Sequence, residues 1–218
     1  CIRDRTSLLL EKCDSLTAIE IDKDLIRFLK KAYGDRKNFN LIEKDILLYD
    51  PKELVRVNKL IGNIPYNIST PIIEWIIDNK SSFDEIFLML QKEFGERCVA
   101  QPNTKSYGRL SIFVQCFFDV TGIREVDKSS FDPSPKVQSI FLKLIPKVSD
   151  MTPNSILMKN LSTLTREAFS KRRKLITNSL KSFFTEEDLV NLGIERKSRP
   201  ENLSVETYIK LAKSIQSG

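Results

Sequence analysis

The sequence predicts an α/β fold, a largely parallel sheet with helices on both faces, followed by a small all-helical domain. Three observations carry that prediction. Apolar runs of strand length alternate with amphipathic runs at helical spacing as far as Ala100. Two apolar, β-branched segments follow, and after Pro146 the pattern is helical with polar faces. A chain of 218 residues is long enough for one good-sized domain and a small second one.

Residues 7–14 read as the end of a helix. Leu16–Asp22, LTAIEID, alternates toward an apolar strand that ends in acids. Lys23–Gly34, KDLIRFLKKAYG, has apolar residues at helical spacing and a glycine to stop it, while Asp22 and Asp24 read as caps. Phe39–Asp50 is a second strand and loop, and KLIGNIPY a third strand. Behind it Ser69 reads as the cap of a helix starting at Thr70-Pro71 and continuing through PIIEWIIDN. EIFLMLQKEFGERCVA begins as a strand at Glu85–Leu90 and continues as a helix. LSIFVQCFFDVTGIREV and SIFLKLIPK read as a strand pair closing the sheet. The boundary falls near residues 147–153, giving domains 1–147 and 151–218.

Composition removes whole classes of chemistry. There is no histidine, so Ser-His-Asp catalysis, imidazole acid–base work and His-ligated zinc are excluded. No apolar run approaches the roughly 18 residues a bilayer requires. Cys1, Cys13, Cys98 and Cys116 form no CxxC pair and read as reduced thiols of a cytoplasmic protein. The net charge of +6 is uneven. From Met151 onward 12 Lys and Arg face 7 Asp and Glu, against 23 and 22 before it. A nearly neutral body with a basic tail suits a polyanion.

In a doubly wound sheet, ligands bind at the carboxyl ends of the strands. Glu20, Asp45, and Asn63 with Tyr66 fall there. An acid at the place of Glu20 can accept hydrogen bonds from both hydroxyls of a ribose. One at the place of Asp45 can accept from the amine of an adenine, with Ile21 and Ile46 as apolar walls for the ring. Each alone reads as a surface carboxylate or a helix cap. Together and in this order they describe an adenosine-containing ligand.

The stretch NIPYNIS, Asn63–Ser69, resembles the Asn-Leu/Ile-Pro-Tyr motif of the ribosomal RNA adenine dimethyltransferases. Leu90–Gln115, the Phe131–Ser139 stretch FDPSPKVQS, RRKLITNSL and RPENLSVETYIKLA are similar to further segments of that family. The likeness runs from about Leu16 to the end of the chain and is nearer to the bacterial small-subunit (16S) enzymes than to the 23S resistance enzymes. It implies a Rossmann-like methyltransferase sheet, S-adenosylmethionine as methyl donor, and adenines of a 16S rRNA hairpin in the immature small subunit as substrate. No metal or membrane is implied, and the chain is expected to be a monomer.

In that reading Asn63 and a backbone carbonyl near Ile64 accept from the adenine amine, and Pro65 stiffens the turn. Tyr66 stacks on a base flipped out of its helix, with Phe131 against the other face. Asn63 also borders the donor. For RNA, SKRRKL places Lys171, Arg172, Arg173 and Lys174 on a helix as a basic patch, with Lys105, Arg109 and Lys136 nearer the mouth of the site.

The resemblance further implies a loop, Gly-Pro-Gly-x-Gly-x-Leu-Thr, whose last six positions fall on CIRDRT. Thr6 fits it, whereas Cys1 and Arg3 stand where glycines are expected, so the first domain reads as N-terminally incomplete and the centre of its sheet as open. Besides methylation of a different amine, such as adenine in DNA, against which the likeness of the tail argues, two functions are therefore open. One is an active dimethyltransferase; the other is a non-catalytic assembly factor that docks on small-subunit RNA.

Overall fold

The computed structural model describes residues 2–53, 59–131, 137–148, 152, 155–170 and 174–215. The chain forms two compact units, Cys1–Val55 with Lys128–Lys136, and Arg56–Asp127 with Val137–Gly218.

The first unit contains helix α1 (Ile2–Leu10), strand β1 (Leu16–Glu20), helix α2 (Lys23–Tyr33) and strand β2 (Phe39–Glu43). The strands pair in parallel, from Leu16 opposite Phe39 to Glu20 opposite Glu43. The segment counted as the end of a glycine loop is helical from Ile2 onward, as a run without Gly or Pro allows. The Asn38 side-chain amide ties the end of α1 to the sheet by donating to the Leu10 carbonyl at 3.1 Å. Asp22 caps α2, its Oδ1 accepting from the backbone N–H groups of Asp24 and Leu25. Asp24 is no cap; it pairs with Arg27 one turn on. Gly34 follows α2 in right-handed helical geometry, so its use is not a left-handed turn. A Cβ there would sit 2.5 Å from the Lys30 carbonyl oxygen.

The second unit is built on a sheet of four strands in the order β3 (Lys59–Asn63), β4 (Glu85–Gln91), β6 (Ser139–Pro146), β5 (Phe118–Val126). β3 and β4 are parallel, while β6 runs antiparallel to both its neighbours. Alternation decides the buried face. Ile86, Leu88 and Leu90 lie opposite Leu144, Leu142 and Ile140, and all six are buried. On the other face Phe87 and Phe141 stack at 6.1 Å.

Helix α3 (Ser69–Asp78) follows β3 and buries Ile72, Ile73, Trp75, Ile76 and Ile77. Ser69 does not cap it. A 3-10 turn at Tyr66–Ile68 runs directly into α3, so Ser69 is already helical, and its hydroxyl donates to the Tyr66 carbonyl at 3.1 Å. Helix α4 (Lys92–Val99) continues from β4.

The segment read as one long strand is instead helix α5 (Arg109–Phe117) leading into β5. Ser111, Ile112, Val114, Cys116 and Phe117 are all buried, and a helix surrounded by protein has no polar stripe to betray its period. Its first turn closes through Ser111, whose hydroxyl accepts from the Gly108 N–H and donates to the Arg97 carbonyl.

Helices α6 (Ile156–Ser170), α7 (Ile176–Ser179), α8 (Glu186–Asn191) and α9 (Val205–Ser214) complete the unit, with α6 packed on α9 and both against α5. Lys174 is exposed and lies in a bend, not in a helix. Lys171, Arg172, Arg173 and Lys136 lie outside the described residues. No described helix is long and apolar enough to cross a membrane.

Candidate active site

The carboxyl ends of β1 and β2 are held side by side by the Lys44 N–H, which donates to the Glu20 carbonyl at 3.1 Å. At the first of them the Glu20 Oε1 accepts from the backbone N–H groups of Ile21 and Asp22, at 2.8 and 2.9 Å. This fixes the carboxylate at the strand end while leaving Oε2 outside those two bonds. At the second, Asp45 opens a short 3-10 turn, its Oδ1 accepting from the Leu47 N–H at 2.9 Å. Asp45 is therefore a cap with one oxygen, and the other makes no hydrogen bond among the described residues. Ile46 beside it is half-buried, and Ile21 is 66% exposed. Two half-committed carboxylates and two apolar side chains on adjacent strand ends suit a ligand with a polar sugar and a flat ring. Phe131 belongs to the same unit, half-buried, its N–H donating to the Lys128 carbonyl.

In the second unit, β3 ends at Asn63, opposite Met89, and the Ile64 N–H donates to the Met89 carbonyl at 3.1 Å. That bond carries the sheet one residue past the strand. The side chain of Ile64 folds back over Gly62, where an added Cβ would meet its Cδ1 at 2.7 Å. Pro65 then starts the turn, extended at φ −56° and ψ 132°, and its carbonyl accepts from the Ile68 N–H. Asn63 and Pro65 are exposed, and the Asn63 amide makes no hydrogen bond among the described residues. Tyr66 is half-buried, and its hydroxyl lies 2.9 Å from the hydroxyl of Ser139 on β6.

Asn63, Pro65 and Tyr66 thus share one turn of the second unit, and Glu20, Ile21, Asp45 and Ile46 share two adjacent strand ends of the first. Lys105 and Arg109 are exposed in the α4–α5 loop and at the start of α5. Two residues at the Asn63 turn were not singled out from the sequence. Gly62 leaves room for Ile64, and Ser139 meets the Tyr66 hydroxyl. The signal for Ser139 was a small polar residue opening the otherwise largely apolar strand SIFLKLIP. Lys92, just past β4, fixes the neighbouring strand end: its N–H donates to the Gln138 carbonyl and its ammonium to Glu125 at 2.8 Å. That bond to Glu125 raises the Lys92 pKa above its ordinary value.

Residues 4–217 match the family model described as ribosomal RNA adenine dimethylase. The chain is similar to Ribosomal RNA small subunit methyltransferase A of Coxiella burnetii (strain CbuG_Q212), 37% identical over 210 residues that make up 95% of this chain and 81% of that protein. It is 39% identical to the protein of the same name from Legionella pneumophila (strain Corby) over 213 residues, 97% of this chain and 82% of that one. Among solved structures, a dimethyladenosine transferase from Plasmodium falciparum aligns with a TM-score of 0.79 and 30% identity, covering 96% of this chain and 84% of that chain. The 23S rRNA methyltransferase ErmE aligns at 0.73 and 21% identity over 97% and 86%, a likeness of fold.

Proposed function

The chain belongs to the ribosomal RNA adenine dimethylase family, and from that premise we propose that it transfers methyl groups from S-adenosylmethionine to the exocyclic amines of adenines in 16S rRNA of the immature small subunit. The observation that carries the site assignment is the Asn63 amide, exposed at the carboxyl end of β3 without a protein partner among the described residues. An amide facing solvent there, on a turn stiffened by Pro65, is a hydrogen-bonding group held ready for a substrate.

The amine of adenine is a poor nucleophile because its lone pair is delocalised into the ring. Asn63 Oδ1 and the carbonyl of Ile64 would accept its two N–H groups and concentrate electron density on the nitrogen. These acceptors favour the charge that develops in the transition state over the ground state. Tyr66 offers its ring face to the base, and Phe131 is the candidate for the opposite face. The carboxylates of Glu20 and Asp45, with Ile21 and Ile46, would hold the adenosine portion of the donor. When bound, the donor supplies an electrophilic methyl group on sulfur. Asn63 Oδ1 and the Ile64 carbonyl would hold the adenine nitrogen to take that methyl in exchange for one of its protons, which would leave to water. Lys171, Arg172, Arg173, Lys174, Lys105 and Arg109 would contact phosphates, placing the RNA without reading its sequence.

The test uses small subunits that lack the modification and a donor labelled on its methyl group, with incorporation and co-sedimentation read from the same tubes. Asn63→Ala is expected to lose methyl transfer by about 10²-fold or more while still sedimenting with the subunits. Full transfer by that variant would remove Asn63 from the mechanism. Sedimentation of the unsubstituted chain without label would make it a docking factor.

A further inference from the structure

Tyr66 and Ser139 come from segments 73 positions apart, yet their hydroxyls meet at 2.9 Å. Ser139 is 1% exposed and opens β6, the strand flanked by β4 on one side and β5 on the other. It is held in register with Gln91 and Val126, and the residue before it accepts the Lys92 N–H. A hydroxyl there is attached to backbone that is paired on both sides. The other end of Tyr66 is fixed as well. Its carbonyl accepts from Ser69 at 3.1 Å, and the Pro65 carbonyl in the same turn accepts from Ile68.

A tyrosine ring anchored only by its backbone keeps two free side-chain torsions. Anchoring the far tip fixes the first, and because a phenolic O–H prefers to lie in the ring plane, the bond also biases the second, so the ring is aimed before anything binds. The same bond turns the phenol hydroxyl toward Ser139, leaving the ring face for a base. We propose that Ser139 is a positioning residue for methyl transfer, holding the ring of Tyr66 in the plane against which the target adenine stacks. This rests on the functional reading above. It goes beyond it by assigning a role to a buried side chain outside the residues assigned to substrate and donor.

The experiment is a double-mutant cycle on the full chain with Ser139→Ala, Tyr66→Phe and both together. It reads kcat and KM for RNA, and ring-flip rates of Tyr66 by NMR with labelled tyrosine. Both single variants keep the ring at position 66 and lose only the bond. Each is expected to lower kcat about tenfold, as misplacement of a positioned group does, with KM within about twofold. The double variant is expected to be no slower than either single one, and Ser139→Ala is expected to speed the ring flips. Multiplying losses would show that the two side chains act independently, and this would overturn the proposal. So would an unchanged kcat in Tyr66→Phe, which decides the matter even if Ser139→Ala does not fold. An unsubstituted chain that transferred no methyl would sink the functional reading alone. The ring-flip rates would still decide whether Ser139 sets the ring.

Discussion

The buried hydroxyl of Tyr107 donates to the carbonyl of Leu203 at 2.9 Å, joining the α4–α5 loop to the C-terminal helices. A second tyrosine does the same from the other side, Tyr208 donating to the Pro200 carbonyl at 2.9 Å. Between the two rings lies Phe169, 6.4 Å from Tyr107 and 6.0 Å from Tyr208. The short 3-10 turn Pro200–Asn202 is thus gripped at both ends, and Asn103, left-handed at φ 68°, adds a third hold by donating to the Glu201 carbonyl. Tyr107→Phe leaves the Leu203 carbonyl buried without that donor. The expected cost is about 1–2 kcal/mol, read as a lower urea midpoint at unchanged slope. An unchanged midpoint would mean that water replaces the hydroxyl.

Burial also predicts how the chain behaves in alkali. It pushes the thiols of Cys98 and Cys116 up from 9.0 to about 12 and raises the phenols of Tyr107 and Tyr208. Each of these acids holds its proton more tightly folded than unfolded. Their contribution is therefore complete below the unfolded pKa and is lost as pH rises from about 9 toward the folded values. Stability at pH 10 is expected to fall by about 1 kcal/mol per thiol relative to pH 8, by urea unfolding. The drop should shrink in Cys98→Ala. In the native chain at pH 8 a thiol reagent should label the half-buried Cys13 and spare Cys98 and Cys116 until the chain unfolds. Equal labelling of all three would contradict their burial.

Much of this architecture was legible in the sequence because its elements have one wet and one dry face. α2 shows its period in Ile26 and Leu29, and β4 shows it in Ile86, Leu88 and Leu90. The misread element was α5, where the surrounding protein removes the polar stripe and Ile112 and Val114 imitate a strand. Ser69 was misread because a cap and a first-turn residue have the same identity. Only the preceding 3-10 turn distinguishes them. At the candidate site, Asn63 and Tyr66 announced themselves as polar groups after an apolar strand. Ser139 did not, because its meaning lies in its meeting with Tyr66 across the sheet.

The basic tail carries a prediction that depends on charge alone. If Arg172 and Arg173 each neutralise a phosphate, replacing both by Ala should weaken RNA binding. The slope of log K against log salt should flatten by about 0.9 for each phosphate no longer neutralised. The weakening should be alike for different RNA sequences, since groups that bind phosphate do not read the bases. An unchanged slope would take both residues out of the interface, leaving Lys105, Arg109 and Lys174 to be tried in their place.

Gly95 on α4 packs directly against β6. An added Cβ would run into Ile140 Cγ2, with Ile140 Cβ and Leu142 Cδ1 each 3.6 Å away. The obstacle is a methyl branching directly from Cβ, on a strand paired on both sides, so neither side chain nor backbone can easily retreat. Gly95→Ala gains helix propensity, yet the overpacking is expected to win and destabilise the unit by about 1–3 kcal/mol. Ile140→Leu removes the Cγ2 branch at constant volume, so the pair Gly95→Ala with Ile140→Leu should recover more than half of that loss. Because Ile140 follows Ser139, a shifted β6 in Gly95→Ala should also lower methyl transfer in still-folded protein, and the second substitution should restore it. A fall in stability with methyl transfer intact would show that the strand absorbs the strain before it reaches the bond between Ser139 and Tyr66.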